Sequence, residues 1–109
     1  MSCVIVDWDR ISELQSEVGE DGIAEVVTLF VQECADALEA LTLSSDTGTA
    51  AERLHFLKGC AENIGLSELA ALCIDEEATL RSGGAASLDP ARLRRAFDRA
   101  RSELLILSG

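Results

Sequence analysis

Apolar residues recur at steps of three and four along most of this chain, and the repeat predicts helices rather than strands. A short first helix is expected from about Asp9 to Val18, with Asp7 as its cap, Trp8, Ile11 and Leu14 on its apolar side, and Gly19 as its stop. Asp21 opens a long helix to about Leu43, whose stripe is Ile23, Val27, Phe30, Cys34, Ala37, Leu38 and Leu41. Leu29 and Val31 fall off that stripe on either side, as exposed apolar residues of a docking surface or, more frequently for such positions, as partly buried flank residues. After a loop from Ser44 to Gly48, Thr49-Ala50-Ala51-Glu52 has the spacing of a capping box and starts a third helix. Its stripe is Ala50, Leu54, Leu57, Ala61 and Ile64, and Gly65 ends it. A fourth helix covers about Ser67 to Arg81, with Leu66, Leu69, Cys73 and Leu80 inward, and Gly83-Gly84 breaks the chain. Asp89-Pro90 restarts it, in the order N-cap then first turn, and Leu93, Phe97, Ala100, Leu104 and Leu107 share one face of the last helix. The expected fold is therefore all-α: an antiparallel up-down-up-down four-helix bundle forming a single domain over residues 1–109. The short N-terminal helix lies across one end, with Trp8 packing it there.

Composition agrees with that reading. Hydrophobic residues make up 48% of the chain against 4% aromatics and one proline, which favours helices packed through Leu, Ala and Val. No apolar run approaches the roughly 18 residues that a membrane span needs. Met1 to Val6 is too short for a signal peptide, so the expected location is the cytoplasm. The formal net charge of −11 argues against a nucleic-acid partner. The one basic cluster, Arg92, Arg94, Arg95, Arg99 and Arg101, is interleaved with Asp98 and Glu103 and reads as a solvated helix face. Cys3, Cys34, Cys60 and Cys73 show no CxxC spacing, so no metal site is expected; Cys34 and Cys73 sit on apolar stripes as small hydrophobes.

Candidate chemistry gathers in Arg53-Leu54-His55-Phe56-Leu57-Lys58-Gly59, which holds the only histidine and the only lysine of the chain. Between Arg10 and Arg81 the only cations are Arg53 and Lys58, and both flank His55. At about 100° per residue, His55 lies about 150° and Gly59 about 170° from the centre of the stripe, with Lys58 on the flank at about 90°. The imidazole therefore faces water. Gly59, one turn on, leaves nothing protruding beside it, although glycine in an exposed helix costs about 1 kcal/mol relative to alanine. A surface histidine is ordinarily only a solvated side chain. A ring nitrogen with a free lone pair beside an ammonium, however, suits an anion that must be both attacked and held, and phosphoryl fits. The chain has neither a Walker A loop nor kinase glycine motifs, so no use of ATP is expected.

His55-Phe56-Leu57-Lys58-Gly59, followed by Asn63-Ile64-Gly65 and Leu69-Ala70, resembles the signature of histidine-containing phosphotransfer (HPt) domains, His-x-Leu-Lys-Gly with a second glycine six residues on. The resemblance extends to the two leading helices, Val6-Asp7 through Leu41, and to the helix from Leu72-Cys73 through Gly83. It departs at Phe56, where a small or polar residue is more usual, and at Glu76, where an apolar residue usually precedes the acidic one matched by Glu77. The resemblance implies that His55 is the phospho-acceptor, that Lys58 steadies the phosphoryl group, and that Gly59 keeps the approach clear. It implies response-regulator receiver domains and a histidine kinase as partners. No cofactor of the chain's own is implied, since the receiver brings the aspartate and the magnesium ion. A monomer is expected.

Two other readings are kept beside this one. A helical bundle could bind a partner without carrying phosphate, but such a domain would be expected to have lost the histidine or lysine. The phospho-acceptor and dimerisation region of a sensor kinase usually has a proline about five residues after its histidine, where this chain has Cys60.

Overall fold

The computed structural model describes residues 4–107; Cys3 and the first residues of the leader reading lie outside them. Among the described residues there are five α-helices and no strand: α1 (Trp8–Val18), α2 (Glu20–Leu43), α3 (Thr47–Ile64), α4 (Ser67–Gly83) and α5 (Pro90–Leu104). Single 3-10 turns follow α4 and α5, at Ala85–Ser87 and Leu105–Leu107. α2 packs against α3 and α5, α3 against α4, and α4 against α5, so these four helices enclose one core; α1 packs against α2 and α3.

Local chemistry explains the helix ends. The Asp7 side chain accepts from the Asp9 and Arg10 N–H groups at 3.1 and 3.3 Å, capping α1 as its position predicts. Gly65, with φ 80°, ends α3 in the left-handed conformation, and Asp89 and Pro90 open α5 as N-cap and first helical residue. α3 begins earlier than its capping-box spacing implies. Asp46 is the cap, accepting from the Thr49 N–H at 2.9 Å, so Thr49 is a helical residue. An ionised carboxylate is the stronger acceptor for the positive end of a helix, and the Thr49 N–H in turn holds the Asp46 carboxyl below the ordinary carboxylate range.

The core holds the expected stripes: Leu38, Leu54, Leu57, Ile64, Leu69, Leu93 and Phe97 are fully buried. Two expectations are corrected. Trp8 does not pack α1 onto the bundle; it is 38% exposed, and Val6, Ile11 and Leu14 do the burying. Cys60, off the predicted stripe, is buried, because α3 is covered on two sides by α2 and α4. The basic face of α5 is solvated as expected, with Arg94, Arg95, Arg99 and Arg101 exposed; at that surface Arg92 pairs with Asp75, Arg99 with Glu68 and Arg101 with Asp98. Leu29 is exposed, whereas Val31 packs against the core as a flank residue.

Glu76 is the one buried charged residue described, 3% exposed. Its Oε1 accepts from the Asp89 N–H at 2.8 Å, and its Oε2 lies 3.8 Å from Arg92 Nη2. A buried carboxylate is tolerated when it is paired and hydrogen-bonded. Here it ties the middle of α4 to the start of α5, which accounts for a charge where the family pattern has an apolar residue.

Candidate functional site

The angle argument for α3 holds in three dimensions. Leu54 and Leu57 are fully buried, while the intervening His55 projects outward with its side chain 75% exposed. Lys58, one turn on, sits on the flank toward α4 with its side chain 22% exposed. A Cβ built at Gly59 would meet nothing within 4 Å, so the glycine is not required by packing inside the chain. Phe56, beside the histidine, is 52% exposed and enlarges the apolar part of the same surface.

A residue from the neighbouring helix joins the patch. Glu77 of α4 places Oε1 at 3.0 Å from Lys58 Nζ and Oε2 at 3.8 Å from His55 Nδ1. One carboxylate thus reaches both the ammonium and the imidazole. The sequence flagged Glu77 only as the acidic position of a pattern. Its relation to Lys58 and His55 crosses two helices, and no spacing within one helix reveals such a pairing.

Beneath the patch lie buried thiols. Burial pushes the Cys73 thiol up to about 12, with the Glu77 carboxylate adding to the effect and the Lys58 ammonium opposing it. Burial likewise pushes Cys34 up to about 12. Cys60 is raised by burial and then by Glu33, whose Oε2 accepts from its Sγ at 3.8 Å. These thiols stay protonated near neutral pH, so they form an apolar floor and offer no thiolate nucleophile. Among the described residues no group of three or more His, Cys, Asp or Glu is placed to hold a metal ion. Nor is any helix among them long and apolar enough to cross a membrane.

What the patch can do follows from its members. An exposed imidazole supplies a nucleophilic nitrogen, a half-buried ammonium supplies a fixed positive charge within one helical turn of it, and a bare backbone beside both admits a second surface. The model of the Hpt domain family matches residues 25–104, a span that contains the whole patch, and this chain belongs to that family, the histidine phosphotransfer domain of two-component systems. Hpt domains carry out histidine phosphotransfer in phosphorelays and interact with receiver domains and histidine kinases. No curated protein matches the chain.

Proposed function

We propose that this protein is a phosphorelay intermediate whose His55 accepts a phosphoryl group from the aspartyl phosphate of a receiver domain, or from a histidine kinase system, and passes it to a response-regulator receiver. The observation that carries the reading is the exposed imidazole on the α3 surface with Lys58 one turn away, itself held by Glu77 at 3.0 Å. Nδ1 is the ring nitrogen nearer Glu77. Nε2 is then the nitrogen left to attack phosphorus, with the lone pair of a neutral ring.

Phosphoryl transfer asks for in-line placement and stabilisation of charge on the equatorial oxygens, with little covalent work from the protein. Lys58 gives that charge from one side. The remaining charge, including a magnesium ion, comes with the receiver, and the chain needs no nucleotide site of its own. The closed ring of contacts among α2, α3, α4 and α5 supports an up-down-up-down order for the four long helices. In this reading a single domain acts as a monomer in the cytoplasm.

The test is incubation of the full chain with candidate phosphorylated receiver domains carrying labelled phosphate. The expected result is label on the protein that is lost in acid and retained in alkali, as for a phosphoramidate. Acid-stable label, or none with any receiver, sinks the reading.

Gly59→Leu separates access from chemistry. A helical glycine replaced by leucine gains up to about 1 kcal/mol in helix propensity, and a Cβ at Gly59 meets nothing within 4 Å. Thermal unfolding should therefore shift upward slightly. Transfer from a receiver should nevertheless fall by about tenfold or more, because a displaced partner loses in-line geometry. Stopped-flow transfer kinetics beside a melting curve check both halves, and unchanged kinetics would count against the close-approach argument.

A further inference from the structure

A protein contact centred on His55 extends well past the imidazole. Even a transient interface covers about 600 Å² on each partner, which is a patch about 14 Å in radius when it is round. Glu62 follows His55 on α3 by an axial distance of about 10 Å, at 1.5 Å per residue. A receiver seated on the histidine therefore meets whatever lies beside Glu62.

What lies there is a groove of about 390 Å³ bounded by α3, α4 and the start of α1. Glu62 lines it one turn beyond Lys58, and Ile74 lines it from α4, one turn before the Glu77 that pairs with Lys58. The groove is thus continuous with the histidine patch on the α4 side. Small residues, Ala61, Gly65 and Ala70, leave room between the helices. Ile74 is nevertheless 54% exposed. A large aliphatic side chain in water beside a hollow of small residues is a place for an apolar side chain of a partner to enter.

Charge narrows the choice of partner. Asp7, Glu13 and Glu62 line the groove against one guanidinium, that of Arg10. Arg10 is already engaged, donating from Nε to the Asn63 carbonyl at 2.8 Å and pairing through Nη1 with Glu13 at 3.6 Å. Asp7 is held at the cap of α1. The Glu62 side chain is exposed and has no hydrogen bond or ion pair among the described residues. An unanswered carboxylate therefore stands beside the exposed isoleucine. The apolar groove between α2 and α5 is different: it measures about 120 Å³, carries Arg101 at its edge and includes no residue of α3.

We infer that the groove between α3 and α4 is a specificity surface for the receiver docked on His55, taking a segment that presents an apolar side chain next to a lysine or arginine. The inference rests on His55 being the phospho-acceptor, and it names which receivers that site serves. The apolar side chain covers Ile74 and the cation answers Glu62. Receivers without such a segment reach the same histidine but hold it more weakly. The groove acts on docking and leaves the chemistry of the ring alone.

The experiment uses the full chain, the receiver domain that labels it best, and phosphoramidate as a donor too small to span the groove. Titrating the nitrogen-15-labelled chain with that receiver should move the amides of Glu62, Ala70 and Ile74 together with those around His55. Ile74→Asp should raise the receiver concentration for half-maximal transfer about fivefold or more, with the limiting rate kept. Glu62→Lys should raise it about threefold, by an amount that shrinks as salt is added. Both variants should take label from phosphoramidate at the unaltered rate, which shows that they are folded and that the ring is intact. Amide shifts confined to the α2 side of α3, or half-maximal concentrations unchanged in both variants, overturn the groove and leave His55 as acceptor. A solution mass of two chains that falls to one in Ile74→Asp gives the groove to a second copy and overturns the inference equally. Failure of phosphoramidate to label the unaltered protein overturns the phosphocarrier reading itself, and this inference with it.

Discussion

His55→Gln removes acid-labile phosphoryl incorporation down to the level seen without the protein, and leaves the unfolding curve where it was. Both halves come from the same placement. The side chain is 75% exposed and makes no hydrogen bond to the described residues, so its replacement falls among surface substitutions, which shift stability by no more than about 0.5 kcal/mol. Glutamine fills similar space and its amide is not a nucleophile, so the loss of acceptance cannot be laid to collapse of the surface. No second histidine is available to take over. The buried thiols, raised by their surroundings, offer no substitute. Phosphate transfer from a labelled receiver, followed on a gel at alkaline pH and paired with a thermal melt, reads both quantities. Incorporation that persists in the variant removes His55 from its role. A melt lowered by several degrees would mean that the ring contributes packing and is not free in solvent.

The outward direction of His55 was legible because it depends on helical geometry alone. Once Leu54, Leu57, Ala61 and Ile64 define the inner face of α3, the angle of every other residue follows. The same locality explains Gly65 and Asp89-Pro90, where one residue type meets one backbone requirement. What crosses between helices was not legible. The Lys58–Glu77 pair depends on how α3 and α4 are set against each other, and Cys60 is buried because α3 has neighbours on two sides. Glu76 is the sharpest case. A carboxylate in an amphipathic repeat reads as surface, and the N–H of Asp89, the N-cap of α5, together with the guanidinium of Arg92 on α5 makes its burial tolerable. Trp8 differs in the opposite direction: a large apolar side chain at a helix start reads as interior, yet Trp8 is 38% exposed and Val6 is buried. At Asp46 the competition was between two good caps, and the charged one prevails by opening the helix at Thr47.

Gly65→Ala should destabilise the chain strongly for the addition of a single methyl group. Gly65 sits at φ 80° and ψ 29°, the left-handed region, where a residue with a Cβ costs about 1–2 kcal/mol. Space is a second, independent obstacle. An added Cβ would lie 3.0 Å from the Asp7 carbonyl oxygen and 3.0 Å from Arg10 Cβ, with Asp7 Cβ at 3.2 Å. All three of these contacts are backbone or backbone-proximal and cannot swing aside as the tip of a long side chain can. They also cannot retreat freely, since the Asp7 N–H donates to the Gly65 carbonyl at 2.7 Å and Arg10 Nε donates to the Asn63 carbonyl at 2.8 Å. Strain and displacement together come to about 2–3 kcal/mol, or a melting temperature lower by about 10–15 °C in a domain of this size. The damage should be felt first in α1, whose entry is the segment pushed away, and hydrogen exchange should quicken from Ile11 to Leu14 before it quickens in α3. His55 lies well before Gly65 on the same helix, so phosphoryl acceptance below the melting temperature should be kept. A melting temperature within about 2 °C of the unaltered protein would show that the α1–α3 joint yields at almost no cost, and that the glycine is dispensable there.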